Sequence, residues 1–132
     1  MAQASYPDDL LYHPEHDWAR LDPGDPQTAT LGISWYAQDA LGEVVFFEPP
    51  AVGQSIAKDA PYAEVESVKA VSEVVAPLSG EIIEVNETLS DSPQMINEDP
   101  YGEGWLVKVR LSDPAERDAL LDAASYIATL GG

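Results

Sequence analysis

Apolar and polar positions alternate in short runs along most of the chain, and prolines and glycines cut the runs apart. Residues 28–33 alternate and are β-branched, which predicts a strand. Ser34 can cap a short helix through Leu41, and Gly42 stops it. A second strand is expected over 43–47, where Val44, Val45, Phe46 and Phe47 are too apolar to be fully exposed; Pro49 and Pro50 end it. Gly53 marks a turn before a short strand at 54–57. The stretch 62–75 is rich in valine, alternates, and lacks glycine and proline around its middle, so it reads as a strand pair with Val68-Lys69-Ala70 at the tip. Residues 77–80 form a turn in which Gly80 is expected to need a backbone conformation that a β-branched residue resists. Further strands are expected at 81–85 and at 105–111, the latter with Trp105, Val107 and Val109 on one face and Lys108 and Arg110 on the other. Ser92-Pro93 opens a short helix, and 99–104 must be a loop.

The pattern changes at the end. Asp113 is a candidate N-cap, Pro114 a first helical residue, and Glu116 would complete a capping box. Leu120, Ala124 and Ile127 then recur at helical spacing, with Leu121 beside them, and Gly131 and Gly132 close the chain. The expected fold is mainly β: a small sandwich or flattened barrel with a short internal helix and a C-terminal helix. No linker divides the 132 residues, so 1–132 reads as one domain, with the hairpin at about 62–75 and the C-terminal helical segment at about 114–130. The aromatics Trp18, Trp105, Phe46 and Phe47 are expected in the core.

Charge narrows the partners. There are 24 acidic residues against 6 basic ones, a net charge of −18. Such a surface repels phosphate backbones and anionic lipid, which argues against nucleic-acid and membrane partners. There is no cysteine, so disulfides, thiolate metal sites and cysteine nucleophiles are excluded together. No apolar run is long enough to span a bilayer, and residues 1–10 are acidic without an apolar stretch, unlike a secretory signal. A soluble cytoplasmic monomer is the expectation.

Of the three lysines, 58, 69 and 108, only Lys69 lies between two runs of β-formers at the tip of a hairpin. A rigid tip presents one ammonium group to an enzyme that must modify it and ignore the others. The neighbouring cluster of His13, Glu15, His16 and Asp17 has loose spacing for a metal site, and no metal is expected there. Asp22-Pro23-Gly24-Asp25-Pro26 lacks the ligand spacing of a calcium loop and reads as a turn.

Four segments in order carry a resemblance. Glu64-Val65-Glu66-Ser67-Val68-Lys69-Ala70, followed by Ala76-Pro77-Leu78-Ser79-Gly80-Glu81-Ile82, resembles the lipoyl attachment site of the glycine cleavage system H proteins. Tyr12-His13-Pro14-Glu15-His16-Asp17-Trp18 is similar to that family's N-terminal segment. The stretch from Gly32 to Phe46 and the loop from Asn97 to Leu106 match two further segments. The resemblance spans about residues 12–126.

The resemblance implies a lipoyl-domain-like β-sandwich, a barrel-sandwich hybrid, that is a carrier and not itself an enzyme. It implies lipoic acid in amide linkage on Lys69, within a motif that includes Glu66, Ser67, Val68, Ala70 and Glu73. The arm would take the aminomethyl group of glycine from a pyridoxal-phosphate glycine decarboxylase (P protein) to a tetrahydrofolate-dependent aminomethyltransferase (T protein). A flavin-dependent dihydrolipoamide dehydrogenase (L protein) would reoxidise it, and a lipoate ligase or a lipoyl/octanoyl transferase would install it. A cleft in which the loaded arm rests is implied at Glu15, His16, Asp17 and Tyr36, beside Glu73. Pro14, Trp35, Val71 and Glu73 depart from the family's usual residues, and Trp35 and Glu73 bear on the shape of that cleft.

Three rivals share the hairpin lysine. Lipoyl domains of 2-oxo-acid dehydrogenase acyltransferases are shorter and fused through linkers. Biotin carriers flank their lysine with methionines, whereas Val68 and Ala70 flank Lys69. An H-like protein that donates or relays lipoyl groups to 2-oxo-acid dehydrogenases remains open on sequence.

Overall fold

The computed structural model describes residues 6–131, with the side chains of residues 26 and 131 set aside; the reading of residues 1–10 therefore falls partly outside it, and Gly132 wholly so. Among the described residues, nine strands form two sheets. They are β1 (Leu11–His13), β2 (Asp17–Asp22), β3 (Asp25–Ile33), β4 (Val44–Glu48), β5 (Ser55–Ile56), β6 (Pro61–Ser67), β7 (Val71–Val75), β8 (Gly80–Val85) and β9 (Val107–Leu111). Helix α1 (Trp35–Leu41) joins β3 to β4, and the short helices α2 (Thr88–Asp91) and α3 (Met95–Glu98) lie between β8 and β9. The larger sheet runs β1-β2-β3-β9-β8-β5 and the smaller β4-β6-β7. Every pairing is antiparallel.

Alternation places the core between the sheets. Leu31, Val65, Leu78, Ile82, Val107 and Val109 are fully buried there. Each such side chain contributes roughly 1.5–3 kcal/mol through area removed from water. The run Val44-Val45-Phe46-Phe47 does not alternate. A register shift between Val44 and Phe46 inserts Val45 as a bulge, so Val44 and Phe47 face inward while Val45 and Phe46 face out. Phe46 is half exposed, against the expectation that it joins the core. Trp18 and Phe47 are buried, and Trp105 is partly buried, ahead of a strand that begins only at Val107.

A second apolar cluster forms where the β1–β2 hairpin meets the C-terminus. Leu10, Tyr12, Trp18, Ala123 and Tyr126 are buried together, with the Tyr12 and Tyr126 rings stacked 4.7 Å apart. The helical segment expected over about 114–130 is in two pieces. Pro114–Ala119 is a 3-10 helix, Leu120 turns extended, and α4 (Ala123–Gly131) follows. The break lets Leu121 exchange two backbone hydrogen bonds with Tyr12, each 2.8 Å. Asp113 does cap, accepting from the Ala115 amide, but Glu116 closes no box. Its carboxylate accepts instead from the Ser79 amide and hydroxyl at 2.7 and 2.9 Å. The buried face of α4 carries Ala123 and Tyr126, not Ala124 and Ile127, because the tyrosine ring supplies the contact.

Candidate functional site

Strands β6 and β7 end in a tight turn, Val68-Lys69-Ala70, and the buried side chain of Ser67 holds it. Its hydroxyl accepts from the Lys69 and Ala70 amides at 3.3 and 3.1 Å, while its own amide donates to the Ala70 carbonyl at 2.8 Å. The Val68 amide reaches the Glu43 carbonyl at 3.0 Å, which ties the tip to the start of β4. Lys69 itself is exposed. Lys58 sits 3.2 Å from the Asp59 carboxylate, and Lys108 lies 3.9 Å from Glu84 and over the Trp105 ring. Among the described residues, Lys69 has no carboxylate within ion-pair distance.

Gly42 and Asn97 position the tip from behind. Gly42 caps α1 with φ of 80°, a left-handed conformation that favours glycine, and its open face lies against the Lys69 stem. The Asn97 side chain accepts from the Val44 amide at 2.8 Å and donates to the Gly42 carbonyl and Gln38 Oε1. It thereby fastens the end of α1 to the start of β4. Sequence reasoning placed Asn97 only in a matching loop segment.

Beside the hairpin lies a cleft of about 190 Å³, walled by Ile33, Leu41, Val65 and Val74 and rimmed by polar groups. Glu15, His16, Asp17, Tyr36 and Glu73 all line it, so three separate stretches of chain converge there. Trp35 does not line this cleft. It faces a wider groove of about 600 Å³ on the other side of α1, with Asp39, Glu43 and Glu98. The cleft wall is braced by a polar chain. The His16 ring, at φ of 76°, packs 4.5 Å from Tyr36, and its Nδ1 lies 2.8 Å from the Tyr126 hydroxyl. That hydroxyl lies 2.7 Å from Ser34 Oγ, which accepts from the Ala37 amide and so caps α1. Burial lowers the His16 imidazole below its ordinary range, which keeps it neutral near pH 7. Burial pushes the Tyr126 hydroxyl up to about 12. Sequence reasoning missed Tyr126, whose signal was that it is the one aromatic on α4.

Asp17 is the cleft's unusual group. It is 2% exposed, and its Oδ2 is buried without a hydrogen-bond partner, as is the Tyr62 hydroxyl. Burial, and next the Glu15 carboxylate, push its carboxyl well above the usual range. A cation entering the cleft would pair with that oxygen and reverse the penalty of ionising it. The cluster does not gather into a metal site: His13 turns to Asp59, His16 to Tyr126, and no group of three or more potential ligands is found among the described residues.

Asp17 has a measurable stability signature. Its folded form holds a proton that the unfolded chain releases above about 3.8, so the wild type loses stability as pH rises from that value toward the raised folded one. Asp17→Asn is therefore expected to leave stability near pH 3 unchanged and to raise it at pH 7. Denaturant melts across that range check the crossover, and an Asn variant that is less stable at pH 7 would contradict the buried-carboxyl assignment.

A two-sheet sandwich carrying a lysine on a hairpin tip, with helical trimmings at its edge, defines a lipoyl-domain-like protein. The comparisons narrow the class. The profile described as "Glycine cleavage H-protein" matches residues 10–131. The chain is 50% identical over 123 residues to a glycine cleavage system H protein of Symbiobacterium thermophilum, covering 93% of this chain and 94% of that one. It is 54% identical over 110 residues to one of Rubrobacter xylanophilus, covering 83% and 85%. A crystal structure of a glycine cleavage system H protein from Mycobacterium marinum superposes with a TM-score of 0.85 at 39% identity, over 96% of this chain and 99% of that one. The chain belongs to the glycine cleavage H-protein family.

Proposed function

We propose that the chain carries lipoic acid on Lys69 and shuttles the aminomethyl group of glycine between the glycine decarboxylase and the aminomethyltransferase, with dihydrolipoamide dehydrogenase reoxidising the arm. The observation that carries this reading is the exposed Lys69, on a Ser67-braced tip beside a cleft with an orphan carboxylate oxygen, in a chain of this family. The cleft fits the cargo. Apolar walls suit a hydrocarbon arm, and the acidic groups suit an ammonium at its end.

When bound, the lipoyl group supplies a disulfide that can accept the aminomethyl carbon on sulfur. The chain's own residues do the rest. Glu15, Asp17 and Glu73 hold the amine as ammonium, a form whose nitrogen has no lone pair to expel sulfur. His16 and Tyr36 close the side of the cleft against water, and Tyr126 and Ser34 hold that wall in place. In this reading the protein is a monomeric carrier, non-catalytic, and modified by a lipoate ligase or a lipoyl/octanoyl transferase in the cytoplasm. No helix among the described residues is long and apolar enough to cross a membrane.

Intact mass and peptide mapping of protein from its native cell test the attachment. One lipoyl group on the Lys69 peptide is expected, and an unmodified Lys69 in a cell with active glycine cleavage would sink the reading. The partners are tested by salt. With a net charge of −18, association with the decarboxylase is expected to slow several-fold from low to physiological ionic strength, chiefly in the on-rate. Stopped-flow binding measures it; a constant on-rate would show that the acidity serves solubility alone.

A further inference from the structure

His13 precedes Pro14, which favours an extended backbone, and it ends β1 opposite Asp17. Its side chain is 7% exposed and makes two contacts of opposite kind. The Glu15 amide donates to Nδ1 at 3.0 Å, and Nε2 lies 2.6 Å from Asp59 Oδ1. A backbone N–H can only donate, so Nδ1 carries a lone pair and the ring's single proton sits on Nε2, toward Asp59. Asp59 belongs to the β5–β6 loop, is 61% exposed in its side chain, and pairs also with Lys58. The ring thus links that loop to the turn that presents Glu15 to the cleft.

A second proton on the ring has one place to go, Nδ1. There it would meet the Glu15 N–H, donor against donor. The acceptor next in reach is Asp17 Oδ2, 4.0 Å away and buried without a partner. A movement of about 1 Å would bring the two to hydrogen-bond distance. The groups that face the ring are Glu15, Asp17, Lys58 and Asp59, with Tyr62 beyond Asp17 and His16 nearby.

We propose that His13 is a proton-operated positioning residue of the cleft: neutral, it holds the Glu15 turn in place through Nδ1, and protonated, it releases that turn and takes Asp17 Oδ2 as its own partner. The step is balanced by one proton from solvent, bound at Nδ1 of the ring. The proposal rests on the arm-sheltering reading only for its consequence. A cationic guest loses Glu15 and Asp17 together when the ring is protonated, so the cleft opens to its cargo at low pH and closes on it at high pH.

The first test uses the full, unlipoylated chain and nuclear magnetic resonance. The Glu15 amide and the Asp17 carboxyl carbon are expected to titrate with the midpoint of the His13 ring protons. His13→Asn keeps an acceptor for the amide two residues on but takes no proton, so the shared step should vanish. A Glu15 amide that is flat across the His13 titration would overturn the proposal. The second test loads the lipoylated protein with glycine and decarboxylase, removes the decarboxylase, and follows ammonia release without the transferase, relative to the same arm after unfolding. Protection is expected to fall by about tenfold or more through the His13 titration, because the ammonium loses charge-assisted contacts to both Glu15 and Asp17. In His13→Asn the part of that change that follows the ring should be lost, leaving only the dependence set by the Asp17 carboxyl itself. Protection that is constant in the wild type would overturn the latch. Absence of protection at every pH, with the linked titration intact, would instead sink the sheltering reading and leave the latch supported.

Discussion

Replacing Lys69 by arginine is expected to abolish lipoylation and reduce glycine cleavage to background, with no change in folding. The two halves of that expectation have separate causes. The turn is held by the Ser67 hydroxyl and by backbone bonds from Ser67 and Val68, none of which involves the lysine side chain. Lys69 is exposed, so the larger guanidinium meets open solvent, and stability should stay within about 0.5 kcal/mol of the wild type. Arginine keeps the positive charge but is not an amine that the ligase or transferase can acylate. Lys58 and Lys108 are not substitutes, because Lys58 sits in the turn between β5 and β6 against the Asp59 carboxylate and Lys108 lies within β9 near Glu84. Intact mass, thermal melting and the reconstituted glycine cleavage assay check the three parts. Wild-type activity in the variant would remove Lys69 from the mechanism. A variant that melts early would show that the lysine stem, lying over Gly42, has a packing role that the hydrogen bonds do not suggest.

The strands most legible in the sequence are those with one wet face. In β6 the inward Val65 and Ser67 alternate with the outward Glu64 and Glu66, and that alternation shows without a structure, whereas Tyr62 faces inward only because the register shifts between Pro61 and Ala63. Strands β1 and β2 left no such mark. Tyr12, His13, Asp17, Trp18 and Ala19 are all buried, because the C-terminal helix covers the face that would otherwise be wet. The run Val44-Val45-Phe46-Phe47 was readable as a strand but not as a bulged one, since a bulge depends on the partner's register. The lysine tip is a local feature, and local spacing is enough to point to it. The cleft is not local: Glu15, Tyr36 and Glu73 meet only through the packing of β1–β2, α1 and β7, and the resemblance to a family carried them into the expectation. Nothing in either segment marks the contact of His13 with Asp59, which lie 46 positions apart and join two loops.

Gly80→Val is expected to destabilise the fold by about 3 kcal/mol or more, and Ser79→Ala by about 1–2 kcal/mol. The reason for the first differs from the one the sequence suggested. Gly80 is not among the glycines with positive φ, so a side chain there is not strained by its own backbone. It is excluded by its neighbours. A Cβ at this position would run into the Arg110 carbonyl, with its carbon at 3.0 Å and the Leu111 Cα at 3.2 Å. Those atoms are backbone of β9, and Gly80 is paired with both Leu111 and Ile56, so the strands on either side are fixed by ladder hydrogen bonds and cannot step aside. Ser79→Ala removes less. The hydroxyl accepts from the Lys58 amide at 2.9 Å and donates to Glu116, but the Ser79 amide keeps its own bond to that carboxylate. The melting temperature should therefore drop by an amount on the order of 10 °C in the first variant and by a few degrees in the second. Lipoylation should follow the folded fraction, because Gly80 lies in β8 and the Ser67-braced tip does not depend on it directly. Equal melting temperatures would show that β9 can move aside to admit a side chain. A folded Gly80→Val protein that resists lipoylation would show that strain at the β8–β9 pair reaches the lysine through the core.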